Sequence, residues 1–105
     1  MQLEFTQGYG QYKVDIEPKK SITIQRDGHK PTSFKVGDWA IYDSYNLYYT
    51  GIIRQITEKT VIIESYPDTQ NAKKHRLKIV NFAWRNYNFD AERIRMENAE
   101  TSNYI

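Results

Sequence analysis

Residues 34–66 constrain the fold more than any other part of the chain. They run Phe34-Lys35-Val36-Gly37-Asp38-Trp39-Ala40-Ile41-Tyr42, then an aromatic loop to Tyr49. Thr50-Gly51-Ile52-Ile53-Arg54-Gln55-Ile56 and Val61-Ile62-Ile63-Glu64-Ser65-Tyr66 follow. Short Val/Ile-rich runs separated by Gly-Asp and Thr-Glu-Lys-Thr read as strands joined by tight connections. Three such strands in about thirty residues, with glycines at the bends, predict a small, strongly bent β-structure.

The same alternation extends upstream. Leu3 and Phe5 alternate with polar neighbours ahead of a Gly8-Tyr9-Gly10 break. Tyr12, Val14 and Ile16 alternate with Lys13, Asp15 and Glu17, and Ile22 and Ile24 with Thr23 and Gln25. With Pro18-Lys19-Lys20 between them, residues 12–25 predict a hairpin. Asp27-Gly28 marks a turn, and Pro31 delays the next strand. Asp38 is placed to bond a local backbone amide, and Thr57-Glu58-Lys59-Thr60 to close a hairpin. Residues 67–74 read as an exposed polar loop. Leu77, Ile79, Phe82 and Trp84 suggest a further strand and a turn, with Phe82 and Trp84 sharing a face toward the core. A C-terminal helix is expected over about 90–100, because Asp90 is a good N-cap and Phe89 and Ile94 fit a hydrophobic staple. Arg93 and Glu97 fit an i,i+4 pair.

Composition narrows the function classes. The chain has 105 residues, consistent with one domain, and its nine tyrosines, four phenylalanines and two tryptophans supply much of the core area. No cysteine is present, so a disulfide framework and a thiolate metal site are excluded. His29 and His75, the only histidines, lack a second ligand at metal spacing. No apolar run approaches the ~20 residues that span a bilayer. Met1-Gln2-Leu3-Glu4-Phe5 does not read as a signal peptide, and a cytoplasmic location is the expectation. No nucleophile–base set or carboxylate pair stands out, and Gly8-Tyr9-Gly10 lacks the helix and lysine of a phosphate loop, so the expectation is a non-enzyme without a cofactor.

The stretch from Phe34 to Tyr66 resembles the SH3-like small barrels, above all their Tudor and chromo-barrel branch. The matching residues are Val36-Gly37-Asp38, Tyr48-Tyr49, Ile52-Ile53-x-x-Ile56 and Val61-Ile62-Ile63. The resemblance implies an SH3-like barrel or rolled antiparallel sheet, here extended by an N-terminal hairpin and one C-terminal helix. Tudor-type domains hold a methylated cation among aromatic rings, each contact contributing about 0.5–2 kcal/mol. The positions that correspond are Tyr42, Tyr49 and Tyr66, with Tyr45 and Tyr48 in the intervening loop and Asp43 as a cage acid.

Two surfaces emerge as candidate sites. Residues 1–68 carry eight Lys/Arg against nine Asp/Glu, whereas residues 69–105 carry seven against four. The downstream excess is concentrated in Lys73, Lys74, Arg76, Lys78 and Arg85, with no acid from Gln70 to Phe89. Cations interleaved with Phe82, Trp84 and Tyr87 are what a single-stranded nucleic acid requires. The second surface is the tyrosine group Tyr42, Tyr45, Tyr48, Tyr49 and Tyr66, suited to a protein or peptide partner. The primary expectation is therefore nucleic-acid binding, and the alternative is a protein-binding module. Small size and richness in Tyr, Asn, Ile and Lys suit an accessory or inhibitory protein of a phage or other mobile element. Capture of a small signalling nucleotide is a third reading, and unpaired strand edges leave room for a homodimer.

Overall fold

The computed structural model describes residues 1–42 and 49–89. Eight strands and one helix follow in order: β1 (Gln2–Gln7), β2 (Gly10–Glu17), β3 (Ser21–Arg26), β4 (Thr32–Lys35), β5 (Trp39–Ile41), β6 (Thr50–Ile56), β7 (Thr60–Ser65), β8 (Lys73–Lys78) and α1 (Ile79–Asn86). They form two four-stranded antiparallel meanders, β1-β2-β3-β4 and β5-β6-β7-β8.

The mainly β class follows from the alternation. Along β2, Tyr12, Val14 and Ile16 are buried while Gln11, Lys13, Asp15 and Glu17 face solvent. Val14 and Ile16 pair with Ile24 and Ile22 on β3, which are buried as well, so the expected hairpin forms. Asp38 Oδ2 accepts the Lys35 N–H at 2.9 Å, and the Thr57 N–H donates to the Thr60 carbonyl at 2.9 Å. The second turn also uses a side chain the sequence offered, since Thr57 Oγ1 accepts the Thr60 N–H at 2.9 Å.

The expected mainly β character holds, in the form of two separate sheets, neither of which closes into a barrel. The Val36-Gly37-Asp38 turn between β4 and β5 divides them. Gly37 has φ +99, a conformation that glycine adopts without the penalty a Cβ brings. The turn is not a loose linker, however. Gly37 N–H donates to the Ile53 carbonyl at 2.8 Å, and Ile53 N–H to the Asp38 carbonyl at 2.9 Å. Lys19 N–H donates to the Ile56 carbonyl at 2.9 Å, tying the β2–β3 turn to β6. One apolar core, from Tyr12 and Ile24 through Phe34 to Ile53, Val61 and Phe82, runs between the sheets.

Residues 79–86 are helical, not extended, and this is the main correction to the sequence reading. Ile79, Phe82, Ala83 and Asn86 are buried at i, i+3, i+4 and i+7, one face of a 3.6-residue period. Phe82 is in the core as expected, edge-on to Phe34 at 5.3 Å. Trp84 is 42% exposed, because two residues along a helix turn a side chain away, whereas two along a strand return it to the same face. The N-cap is Lys78, without a side-chain hydrogen bond, and the first turn carries no acid. The usual start signals are therefore missing. A helix of eight residues is marginal alone, so tertiary packing selects it. The helix expected over 90–100 lies outside the described residues.

Tyr12 carries an unmet group in this core. It is 2% exposed, stacked on Phe5 at 5.0 Å, and its hydroxyl has no hydrogen-bond partner among the described residues. Burial pushes its pKa above the ordinary tyrosine value, the nearby Arg26 guanidinium opposes the shift, and Tyr87 adds to it. The folded state thus holds this proton more tightly than the unfolded chain. Its contribution is complete below a pH of about 10 and declines as pH rises through the folded value. Tyr12→Phe removes a desolvated hydroxyl and is expected to be neutral or stabilising by up to about 1 kcal/mol. Urea denaturation at neutral and alkaline pH measures both effects. A loss above about 1 kcal/mol at neutral pH would mean that the hydroxyl has a partner after all.

Candidate nucleic-acid interface

The basic run begins in a strand. Lys73 and Lys74, expected in a loop, open β8, which pairs with β7 from Ser65↔Lys73 to Thr60↔Lys78. That register decides which cations act together. Leu77 pairs with buried Val61 and faces the core, so Lys74, Arg76 and Lys78 point outward. Alternate residues of a strand stand about 6.6 Å apart, giving an evenly spaced row of three cations. Lys73 shares the opposite parity with His75, at the exposed end of the strand.

Few negative charges oppose this row. Glu64 lies across from Lys74, but its carboxylate is engaged by Arg54 at 3.2 Å. Arg54 is the extra residue where the β6–β7 register shifts between Ile53 and Gln55, and it also reaches Asp68 at 3.2 Å. No carboxylate among the described residues forms a salt bridge with Lys73, Lys74, Arg76 or Lys78. β8 is also the outer strand of its sheet. Its lysines discourage edge-to-edge pairing with a second copy, while the cations remain available to an anion.

Arg85 stands apart from this row. It lies in the last turn of α1, about 10 Å along the helix from Lys78, with its guanidinium 4.8 Å above the exposed Trp84 ring.

The aromatic residues converge on β8 from the far edge of the sheet. Tyr42 follows β5, and its N–H donates to the Tyr49 carbonyl at 3.0 Å, continuing the β5–β6 ladder by one pair. Its ring lies face to face with His75 at 4.0 Å and 18°, and the Tyr49 ring is 5.8 Å away on a tilt of 39°. β5 and β8 are opposite edges of the sheet. In a flat sheet they would be about 14 Å apart, so ring contact between them requires a strong curl. Small buried residues, Ala40, Gly51 and Ser65, make room on the concave side. A Cβ on Gly51 would fall 2.5 Å from the Glu64 carbonyl oxygen. α1 packs against both β5 and β8 and spans the gap between them.

Ser65 and His75 are the residues that sequence reasoning left out of the site. Ser65 Oγ donates to the Lys73 carbonyl at 3.3 Å and is 3.0 Å from His75 Nε2. The Ser65–His75 contact ties the imidazole to β7 while its face packs on Tyr42. The only sequence clue was parity, since His75 alternates with Leu77. Tyr66, placed with Tyr42 and Tyr49 by the cage analogy, does not join their stack. It is 68% exposed in the turn after β7, at φ +47. Tyr45, Tyr48 and Asp43 lie outside the described residues.

No group of three or more metal-ligating side chains gathers among the described residues. No described helix is long and apolar enough to cross a membrane. In comparisons with protein families, curated proteins and solved structures, the chain matched none.

Proposed function

We propose that this domain is a non-enzymatic nucleic-acid-binding module whose phosphate contacts are made by β8. The observation that carries the proposal is the outward row Lys74, Arg76 and Lys78 on a sheet edge, without a carboxylate partner among the described residues. Regularly spaced cations in a row suit a polymer of phosphates better than a single small anion, because each neutralised phosphate releases condensed counterions. Lys73, on the opposite face at the exposed end of β8, and Arg85 on α1 supply further, weaker contacts. The curl of the sheet formed by β5 to β8, bridged by α1, supports an SH3-like, partly closed reading of residues 34–66.

Fluorescence anisotropy with a labelled oligonucleotide at two salt concentrations tests the proposal. Binding should weaken steeply as salt rises. Absence of binding at low salt would refute it. The protein-binding reading, supported by the exposure of Tyr49 and Tyr66, would then be pursued by capture from lysate with Tyr49→Ala as the control.

A further inference from the structure

We infer that the ligand is single-stranded, and that one of its bases stacks on Tyr49 at the open end of the Tyr42–His75 ring stack. This rests on the nucleic-acid reading of β8 and adds the part that phosphate contacts alone do not supply.

The three rings are graded in exposure. His75 and Tyr42 are half-buried, whereas Tyr49 is 44% exposed. The stack therefore has one closed end, on the strand that bears the cations, and one open end. The backbone bond between Tyr42 and Tyr49 sets where their side chains start, and Ser65 contacts His75. The Tyr42 ring, packed on His75, lies beside Tyr49, so a base that lands on Tyr49 meets an aromatic surface already assembled. Because His75 belongs to β8 itself, the stack is anchored between Lys74 and Arg76 in sequence, on the opposite side of the strand. A chain whose phosphates follow the outward row can turn a base around the exposed Lys73 end of β8 onto the concave side. Duplex bases are already stacked on both faces and offer none without unpairing, which costs a few kcal/mol. A single strand has free faces, and stacking accepts any base, so little sequence preference is expected.

The experiment compares a labelled single-stranded oligonucleotide with the duplex of the same sequence, and uses inorganic polyphosphate as a base-free competitor. The wild type, Tyr49→Ala, Tyr49→Leu and Tyr49→Phe proteins are measured, with melting curves for each. The wild type should prefer the single strand by at least tenfold. Tyr49→Ala and Tyr49→Leu should lose about five- to a hundredfold on the single strand. Tyr49→Phe should retain most of the affinity. Competition by polyphosphate and the slope of affinity against salt should be the same in all four. Tyr49→Leu keeps apolar bulk, so its loss at an unchanged melting temperature separates the missing ring from damage to the fold. Equal affinity for duplex and single strand, or full affinity in Tyr49→Leu, would overturn the stacking inference while leaving the phosphate contacts of β8 intact. Failure of every nucleic acid to bind at low salt would overturn both.

Discussion

Asn86→Leu is expected to lower the free energy of unfolding by about 2–6 kcal/mol. Asn86 is 0% exposed, and its side-chain amide substitutes for a strand along the free edge of β5. Oδ1 accepts the Ile41 N–H at 2.8 Å, and Nδ2 donates to the carbonyls of Ile41 at 3.0 Å and Phe82 at 2.9 Å. Leucine has the same branched arrangement of heavy atoms, with bulkier methyl groups, but can neither accept nor donate. The variant leaves both backbone groups of Ile41 buried without their partner, and each such group costs about 1–3 kcal/mol. Domains of this size are stable by about 5–15 kcal/mol, so the change removes a large share of the total. Urea unfolding monitored by tryptophan fluorescence measures it directly. A loss below about 1 kcal/mol would show that Ile41 finds other partners and that the amide is not what holds α1 to β5. The residue also bears on the site. Tyr42 follows Ile41, so loosening this contact loosens the ring stacked on His75.

The second large effect concerns affinity. Combined replacement of Lys74, Arg76 and Lys78 with alanine should weaken nucleic-acid binding on the order of a hundredfold at low salt, with about 1 kcal/mol lost per charged contact. The plot of log affinity against log salt should become shallower by about 2, since each single-strand phosphate contact contributes roughly 0.7. All three side chains are exposed and outside ion pairs among the described residues, so stability should change little. Removing lysines from a sheet edge also removes a barrier to self-pairing, so light scattering must accompany the binding curves. Lys73→Ala and Arg85→Ala, tested singly, should each cost less than the row does. A triple variant that keeps its affinity and salt slope would exclude β8 as the phosphate-binding element.

These two predictions mark where sequence reasoning was sufficient and where it was not. The cationic segment was visible because five basic residues with no acid between them are a property of the chain itself. Which of them act together was not visible. Lys73 and Lys74, adjacent in sequence, are placed on opposite faces by the pleat, and the outward row is Lys74, Arg76 and Lys78. That assignment depends on the pairing of Leu77 with Val61, and so on the register with β7. Asn86 looked unremarkable because its partners are 45 residues away. The Tyr42–His75 contact was equally hidden, since it joins opposite edges of one sheet and exists only because that sheet curls.

By itself, then, the sequence determined the mainly β character, the β2–β3 hairpin, the Asp38 and Thr57–Thr60 turns and the location of positive charge. Each of these rests on period-two alternation, local turn chemistry or composition, which act over a few residues. The division into two sheets, the helix at Ile79–Asn86, the outward cation row and the ring stack beside it were decided by tertiary structure. They depend on strand register, sheet curvature and shared burial, which arise only when segments distant in the chain compete for the same core.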